Sequence, residues 1–339
     1  MNCYERVMNR LAGKPVDRIP NLCILMTFAA KYIYVPYDQF VQDYRLLVEG
    51  NIRCCEDFKI DLLSAISDPV REASDLGAAI AFPVDDVPHP TVPFVSCSAD
   101  LAKLKIVKPE DGRRMSDRLA AVSLYKEKVG KDYPVMGWVE GAFAEACDLD
   151  SVNNMMIAVV DDPEFTEELL EFCTRQAILF AEAQIDAGAD FIGIGDAAAS
   201  LISPRMYRKW AMPYEKRIIE AIHRKGAKAK LHICGNTSHF LSDLPQTGAD
   251  MIDADWMVDF KTAVDTFGDQ ASACGNFDPV SVMLNGTPET VRDAVNACIQ
   301  VARPNTFIAA GCEVPKNTPV ENLKMVAQTI QEAALNPAL

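Results

Sequence analysis

The chain has 339 residues, and its 48 acidic residues against 33 lysines and arginines give a net charge of −15. This acidity argues against a nucleic-acid groove, which needs a basic stripe to neutralise phosphates, and against docking on anionic lipid. The length and the 49% hydrophobic content are sufficient to bury a large core. We expect a soluble enzyme that binds neither nucleic acid nor a membrane.

The N-terminal residues and the cysteines indicate the compartment. Residues 1–15 mix charged and apolar residues at helical spacing, and no apolar segment of a secretory signal follows. The apolar stretch 23–30 is too short to cross a bilayer. The eleven cysteines are therefore predicted to be reduced thiols rather than a disulfide framework. We predict a cytoplasmic protein.

Short apolar runs alternate with amphipathic helices along the whole chain. Strands are predicted at 62–67, 78–83, 134–139, 190–195, 229–234, 250–254, 270–274 and 306–310. The clearest helical patterns cover 166–187, 204–225, 238–247 and 288–302. The sequence Gly-Ala-Asp ends a helix and enters a strand twice, at 188–190 and 248–250, which repeats one αβ unit.

Eight strands with helices between most of them predict an α/β fold, a (β/α)8 TIM barrel in one domain over 1–339. A doubly wound sheet is the competing architecture, but no Gly-x-Gly-x-x-Gly follows the first strand. Residues 1–60 are predicted to form a helical segment packed on the barrel. The proline-rich stretch 85–118 is predicted to be a long capping loop over the site.

Polar residues end nearly every predicted strand. In a barrel enzyme the chemistry lies at the carboxyl ends of the strands. A single Asp or Asn there is more often a turn residue, so the joint pattern carries the prediction of a site. The residues are Asp68, Glu140, Asp196, His232, Cys234, Asp253, Asp255, Asn276 and Cys312.

The sequence His-x-Cys is the most specific feature of these strand ends. His232 and Cys234 are two residues apart on one strand, so they project from the same face. Cys312 ends the eighth strand, which faces the fifth across a barrel mouth. One imidazole and two thiolates predict a zinc ion with an open fourth position. Asp255 is a candidate fourth ligand that substrate displaces, and a capping role in a turn or helix is the alternative.

These motifs resemble the uroporphyrinogen decarboxylase superfamily, and within it the zinc-dependent corrinoid methyltransferases that include methylcobalamin:coenzyme M methyltransferases. The resemblance is carried by 137–141 (GWVEG), 213–217 (PYEKR), 231–236 (LHICGN), 275–279 (GNFDP) and 311–315 (GCEVP). It implies that His232, Cys234 and Cys312 are the zinc ligands. The chain is also similar to cobalamin-independent methionine synthase, and by that analogy Asp255 takes the place of a carboxylate ligand.

The chain departs from the true decarboxylases, which carry an arginine-rich N-terminal segment and lack the His-x-Cys motif. Lys31 is the only basic residue in 21–36, so a tetrapyrrole with several carboxylates would find no clamp there. Asp68 falls near the catalytic aspartate of the decarboxylases, and we interpret it as a residue of the substrate pocket or its surroundings. A decarboxylase-like lyase, a zinc-dependent hydrolase and a non-catalytic zinc module are the alternatives to methyl transfer.

The resemblance implies methyl transfer between a small molecule and a corrinoid, or cobalamin, on a separate carrier protein. The chain itself lacks the Asp-x-His-x-x-Gly cobalamin motif. The small molecule is either a thiol acceptor such as coenzyme M or a methyl donor such as an aryl methyl ether or a methylamine. A homodimer is a further expectation, from the decarboxylase relatives.

Several other residues are candidates for the substrate pocket. Glu140 and Asp196 would hold substrate or move a proton, and solvated strand ends are the alternative. Tyr207 and Trp256 would line the pocket, with core packing as the alternative. Asn276 belongs to the Gly-Asn-x-Asp-Pro segment and is a candidate substrate-binding residue.

Overall fold

Seven parallel strands form one sheet in the computed structural model, which describes residues 1–335. In the order in which they pair, they are β1 (Leu63–Ser64), β4 (Val135–Glu140), β5 (Phe191–Gly195), β6 (Lys228–His232), β7 (Met251–Asp253), β8 (Ser272–Phe277) and β9 (Phe307–Ala310). Two further strands, β2 (Ile80–Ala81) and β3 (His89–Pro90), pair as an antiparallel hairpin outside this sheet.

A short N-terminal segment takes the place of the eighth barrel strand. Ile308 of β9 donates its backbone N–H to the Pro20 carbonyl (3.2 Å) and accepts from Leu22 (2.8 Å). On the other side, Asp61 donates to the Asn21 carbonyl (2.8 Å), just before β1. Residues 20–22 therefore bridge the two edge strands, and the predicted (β/α)8 fold is confirmed.

One of the eight predicted barrel strands is wrong. Residues 78–83 form β2 of the outer hairpin, and Ile80 and Ala81 are only half-buried, so this run lies outside the core. The segment 20–22 was not predicted as a strand because it is very short and because Pro20 has no N–H to pair. A sequence pattern cannot show a pairing that depends on contacts with β9, almost 290 residues later in the chain.

Fifteen α-helices are found in residues 1–335, with 3-10 turns at Ala197–Leu201 and Ser238–Thr247 and a π-turn at Pro279–Leu284. The helices are α1 (Cys3–Leu11), α2 (Thr27–Tyr32), α3 (Tyr37–Phe40), α4 (Tyr44–Phe58), α5 (Arg71–Leu76), α6 (Ser98–Leu101), α7 (Arg113–Val129), α8 (Ala142–Asp150), α9 (Val152–Asp161), α10 (Pro163–Asp186), α11 (Pro204–Trp210), α12 (Met212–Arg224), α13 (Phe260–Phe267), α14 (Pro288–Gln300) and α15 (Val320–Leu335).

Proline explains most differences from the predicted helices. The pattern at 204–225 forms two helices, α11 and α12, because Pro213 has no N–H and disfavours helical geometry just before it. The pattern at 238–247 is a kinked 3-10 segment that contains Pro245. The stretch 85–118 is not one loop, since it contains β3, α6 and the first turns of α7. No helix in the described part of the chain is long and apolar enough to span a membrane.

The central strands are buried on both faces, as expected of a parallel barrel covered by helices. Every residue of β4, β5, β7, β8 and β9 is buried. Because all strands of the sheet run in parallel, their carboxyl ends meet at one mouth. The polar residues that end the strands are thereby brought to the same end of the barrel.

Candidate metal centre

The side chains of His232, Cys234 and Cys312 meet at the barrel mouth. The Nε2 atom of His232 lies 2.9 Å from the Sγ of Cys234 and 3.9 Å from the Sγ of Cys312. The two sulfur atoms are 3.5 Å apart. His232 is the last residue of β6, and Cys312 follows the end of β9. The structure therefore brings together the three residues that the sequence predicted as ligands.

The three donor atoms suit a tetrahedral zinc ion. Zinc bonds of about 2.3 Å to sulfur and about 2.0 Å to nitrogen imply edges of about 3.8 Å between sulfurs and about 3.5 Å from sulfur to nitrogen. The sulfur–sulfur distance of 3.5 Å and the longer sulfur–nitrogen distance of 3.9 Å are close to these edges. The 2.9 Å separation of His232 from Cys234 needs only a small side-chain adjustment.

A buried charge pair lies directly behind His232. The ring Nδ1 is 2.8 Å from Oδ2 of Asp253, and the Nζ of Lys230 is 3.0 Å from the same oxygen. Burial alone would raise the pKa of Asp253, but the charge of Lys230 and the hydrogen bond from His232 lower it to about 2. An ionised carboxylate only accepts, so Nδ1 carries a proton and Nε2 faces the sulfurs.

The sequence analysis included Asp253 among the strand ends but missed Lys230. A signal existed, because Lys230 and His232 are alternate residues of β6 and so share one face, and Cys234 follows His232 by two residues. A lysine on the inward face of a barrel strand needs a buried partner, and the neighbouring strand supplies it.

The two thiols differ in acidity when no metal is bound. The hydrogen bond from Cys234, together with His232, lowers the pKa of Cys312 to about 4 even though burial acts in the opposite direction. The same hydrogen bond and burial raise the pKa of Cys234 well above its usual range. Burial would lower the pKa of His232, but the neighbouring thiols and Asp253 raise it. Cys312 is therefore the resident thiolate of the metal-free centre.

We expect Cys312 of the metal-free protein to react with iodoacetamide at pH 5 about 30 times faster than a free cysteine does. Its pKa of about 4 makes it almost fully ionised there, whereas a thiol with an ordinary pKa near 8.5 is not. Part of the gain is lost because nucleophilicity falls with pKa. The advantage should shrink about tenfold per pH unit, because the ionised fraction of an ordinary thiol rises about tenfold per unit while Cys312 is already ionised. It should vanish near pH 6.5, where the higher nucleophilicity of the ordinary thiolate makes up the remaining difference.

Mass spectrometry of the labelled protein would measure this reactivity, with the Cys312→Ser variant as the control for the modified position. Stoichiometric zinc should block labelling, since the same sulfur is a predicted metal ligand. Labelling of Cys312 that begins only above about pH 8, as for an ordinary thiol, would contradict the lowered pKa.

Asp255 and Asn276 hold the backbone beside the metal centre. Both oxygens of Asp255 accept backbone N–H groups, from Gly235 (2.9 Å) and Met257 (3.0 Å). The amide of Asn276 donates to the carbonyls of Asp255 (3.1 Å) and Val258 (2.6 Å). These contacts agree with the capping alternative for Asp255, and its role as a fourth ligand stays a prediction. Asn276 uses its amide donors within the protein.

Glu140 is buried rather than solvated, contrary to the alternative considered for it. Its Oε1 accepts from Arg71 (2.8 Å) and from the indole N–H of Trp138 (3.2 Å). The Trp138 ring centroid is 5.9 Å from that of His232, so Glu140 is one side chain away from the metal centre. Burial raises the pKa of Glu140 well above its usual range despite the charge of Arg71.

Asp68 is also buried, and its carboxylate is fully engaged. It accepts from Arg114 (2.6 Å to Nη2) and from the hydroxyl of Ser67 (2.5 Å). Burial would raise the pKa of Asp68, but the charges of Arg114 and Arg71 lower it. Its ion pair supports the interpretation that Asp68 belongs to the surroundings of the pocket.

Sequence reasoning missed a cluster of buried acids around Arg71. Glu72 accepts from the Glu140 backbone N–H (3.0 Å), and both carboxylate oxygens of Glu145 lack a hydrogen-bond partner within residues 1–335. Burial raises the pKa of Asp148 to about 8 and that of Glu145 well above its usual range. At least part of this cluster is therefore protonated at neutral pH. Glu145 and Asp148 lie three residues apart on one face of α8, but acids at this spacing usually face solvent, so the sequence gives no signal that they are turned inward.

Asp196 and Tyr207 belong to a second buried cluster, in which both lie beside the carboxyl group of Glu215. Burial raises the pKa of Asp196 to about 7, and Glu215 lies beside it. The hydroxyl of Tyr207 donates to Glu215 (2.6 Å), and its ring stacks on Phe240 at 4.2 Å. Tyr207 is fully buried, so its contacts support the core-packing alternative. Asp196 is likewise not a solvated strand end.

Trp256 is the one predicted pocket aromatic that reaches solvent, with 44% of its surface exposed. It lies on the rim of the mouth, because a Cβ atom on Gly311 would approach its backbone nitrogen to 2.3 Å. This close approach explains the glycine before Cys312. The indole is thus available to a ligand that enters the mouth.

Known proteins resemble the chain over almost its full length. The sequence profile of uroporphyrinogen decarboxylase (URO-D) matches residues 3–333. Methylcobamide:CoM methyltransferase MtbA of Methanosarcina acetivorans is 31% identical over 96% of each chain. Uroporphyrinogen decarboxylase of Trichlorobacter lovleyi is 25% identical over 96% of this chain and 98% of its own.

Solved structures agree on the fold. A methyltransferase from Methanosarcina mazei has a TM-score of 0.89 over 98% of this chain and 99% of its own, at 23% identity. A B12-independent methionine synthase from a Shewanella species has a TM-score of 0.59 over 87% of this chain and 88% of its own, at 15% identity. The predicted family and its methyltransferase branch are confirmed by these matches taken together. The chain therefore belongs to the uroporphyrinogen decarboxylase family, in which it is a methyltransferase.

Proposed function

We propose that this methyltransferase moves a methyl group from a corrinoid on a carrier protein to a small thiol, coenzyme M or a relative of it, at a zinc ion. The observation that carries the proposal is the meeting of His232, Cys234 and Cys312 at the barrel mouth. Bound zinc would supply Lewis acidity that lowers the pKa of a substrate thiol at its open position. Relatives named methylcobamide:CoM methyltransferase, 26–31% identical to this chain, support a thiol acceptor.

The residues of the chain contribute charge and orientation. The thiolates of Cys234 and Cys312 would balance the two positive charges of the ion, while His232 adds a neutral nitrogen. Asp253 holds the Nδ1 side of the ring, so that Nε2 points at the sulfurs. Trp256 is half-exposed at the rim and can cover one side of an entering ligand.

The surroundings of Asp68 support methyl transfer rather than decarboxylation. The carboxylate of Asp68 is 1% exposed and bound by Arg114 and Ser67, so it is not presented to a ligand at the mouth. The ion pair also uses the cationic side chain that could otherwise bind a substrate carboxylate. Neither group is free to act on a porphyrinogen in this arrangement.

Metal analysis combined with an anoxic methyl-transfer assay tests the proposal. We expect about one zinc per chain and methyl transfer from methylcob(III)alamin to thiols such as coenzyme M. The transfer is monitored by the loss of methylcobalamin absorbance. Chelation should abolish transfer, and added zinc should restore it. In the reverse assay, cob(I)alamin is offered aryl methyl ethers and methylamines.

The outcomes of these assays separate the alternatives. Demethylation without thiol methylation would replace the thiol acceptor by a methyl donor. A protein that cannot be loaded with zinc would overturn the proposed function.

A further inference from the structure

We propose that Lys230 is a positioning residue of the metal centre, which fixes the ring of His232 through the carboxylate of Asp253. The inference rests on the proposed function, because the role it assigns to Lys230 is to hold a zinc ligand in place. It concerns a residue that touches neither the thiols nor the proposed ion.

The geometry places the three side chains in a continuous column. Lys230 and His232 are alternate residues of β6 and share its inward face, and Asp253 pairs with His232 from the neighbouring strand β7. One carboxylate oxygen of Asp253 receives both the ammonium group, at 3.0 Å, and the ring Nδ1, at 2.8 Å. A shift of this oxygen would therefore turn the ring and move Nε2 away from the sulfurs.

Burying the charges of Lys230 and Asp253 costs free energy, which indicates that the pair has a role other than stability. Lys230 is 1% exposed and Asp253 is 7% exposed. Withdrawing each ion from water costs several kcal/mol, and an apolar pair of similar size would often be at least as stable. The two opposite charges cancel each other, as the two thiolates would cancel the charge of zinc. Removing Lys230 alone leaves one excess negative charge beneath the metal centre, which by itself would attract a cation, so a loss of zinc affinity would report the lost position of the His232 ring rather than the lost charge.

The same two strands carry a matched pair away from the metal centre. Lys228 of β6 lies 2.9 Å from Asp250, the residue before β7, at the opposite end of the strands from the mouth. Lys228 is 41% exposed, and Asp250 also accepts the backbone N–H of Ala229 (2.9 Å). This pair has the residue types of the column and joins the same two chain segments, but it is partly exposed and does not contact a predicted ligand.

Zinc affinity and the absorption spectrum of the cobalt-substituted protein test the inference. We expect Lys230→Met to weaken zinc binding about 10- to 100-fold, the usual cost of losing a partner of a metal ligand. The d–d bands of bound Co²⁺ should change in position or intensity, because the imidazole nitrogen is no longer held in place. Lys228→Met should leave the affinity within about twofold of wild type and the spectrum unchanged.

A double-variant cycle tests whether Lys230 acts through Asp253. Lys230→Met combined with Asp253→Asn should bind zinc about as weakly as the weaker single variant, because both changes break the same column. Full additivity of the two losses would overturn the proposed route, since it would mean that Lys230 acts independently of Asp253.

A folded Lys230→Met protein with the zinc affinity and cobalt spectrum of wild type would overturn the inference. Lys230→Gln, which loses the charge but keeps a donor, decides by the same readouts if the methionine variant fails to fold. Wild-type protein that binds no zinc would refute the proposed function, whereas normal zinc binding by both wild type and Lys230→Met would refute only the role of Lys230.

Discussion

The His232→Ala/Cys234→Ala variant should bind zinc at least about a hundredfold more weakly than wild type and lose at least about a thousandfold in methyl transfer to thiols. Removing two of the three proposed ligands should cost more than the 10- to 100-fold that loss of an outer partner costs. Lewis-acid stabilisation is worth several kcal/mol, and about 4 kcal/mol corresponds to a thousandfold in rate.

Metal analysis and the methylcobalamin assay provide the measurements for this variant. The control is His223→Ala/Cys97→Ala, which removes the same residue types outside the metal centre. His223 contacts Asp250 at 2.7 Å in a half-exposed position, and Cys97 is exposed. The control should keep its zinc and most of its activity. A variant that retained stoichiometric zinc without His232 and Cys234 would show that the ligands lie elsewhere.

The convergence of His232, Cys234 and Cys312 could be predicted from sequence because it depends mainly on short-range geometry. Alternation along one strand places His232 and Cys234 on one face, and a barrel brings the end of the last strand to the same mouth. Only Cys312 required a long-range assumption, namely that the apolar run before it is the last strand of the barrel and ends at the same mouth. The motifs around these residues also identified the family.

The partners of the trio could not be predicted in the same way. Asp253 ends β7 and Asp255 lies two residues later, so the pattern alone could not assign one to His232 and the other to the backbone of Gly235. The choice depends on the register between β6 and β7, which pairs His232 with Asp253. The pairing of Lys230 with Asp253 depends on the same register, and a single sequence does not contain this register.

Apart from Glu140, the acids around Arg71 were missed for another reason. Glu72, Glu140, Glu145 and the half-buried Asp148 come from α5, β4 and α8, and their neighbourhood is created only when these elements pack. Arg71 at the start of α5 reads from sequence as a surface residue, because arginine is rarely fully buried without partners. It is nevertheless completely buried. Its role is to compensate acids that the fold brings together.

Arg71→Met should lower the free energy of unfolding by about 3–5 kcal/mol, the usual cost of leaving a buried charge without its partner. The Arg71 guanidinium lies 2.8 Å from Glu140 and 3.5 Å from Glu72, and it also donates to the carbonyl of Asp68. Urea unfolding followed by circular dichroism measures the loss. Arg217→Met is the control, because the pair of Arg217 with Glu171 is about 40% exposed and should contribute less than about 1 kcal/mol.

The same variant should show how the acids and the cation depend on each other. Glu140→Gln added to Arg71→Met should recover part of the lost stability, because the amide needs no cation to balance it. The deficit of Arg71→Met should also shrink as the pH falls. Burial already raises the folded-state pKa values of Glu72 and Glu140, and loss of Arg71 raises them further, so the penalty is present above their wild-type folded-state pKa values and is lost as the pH falls through those values. An Arg71→Met protein as stable as wild type at pH 8 would mean that the cluster holds enough protons to need no counter-charge.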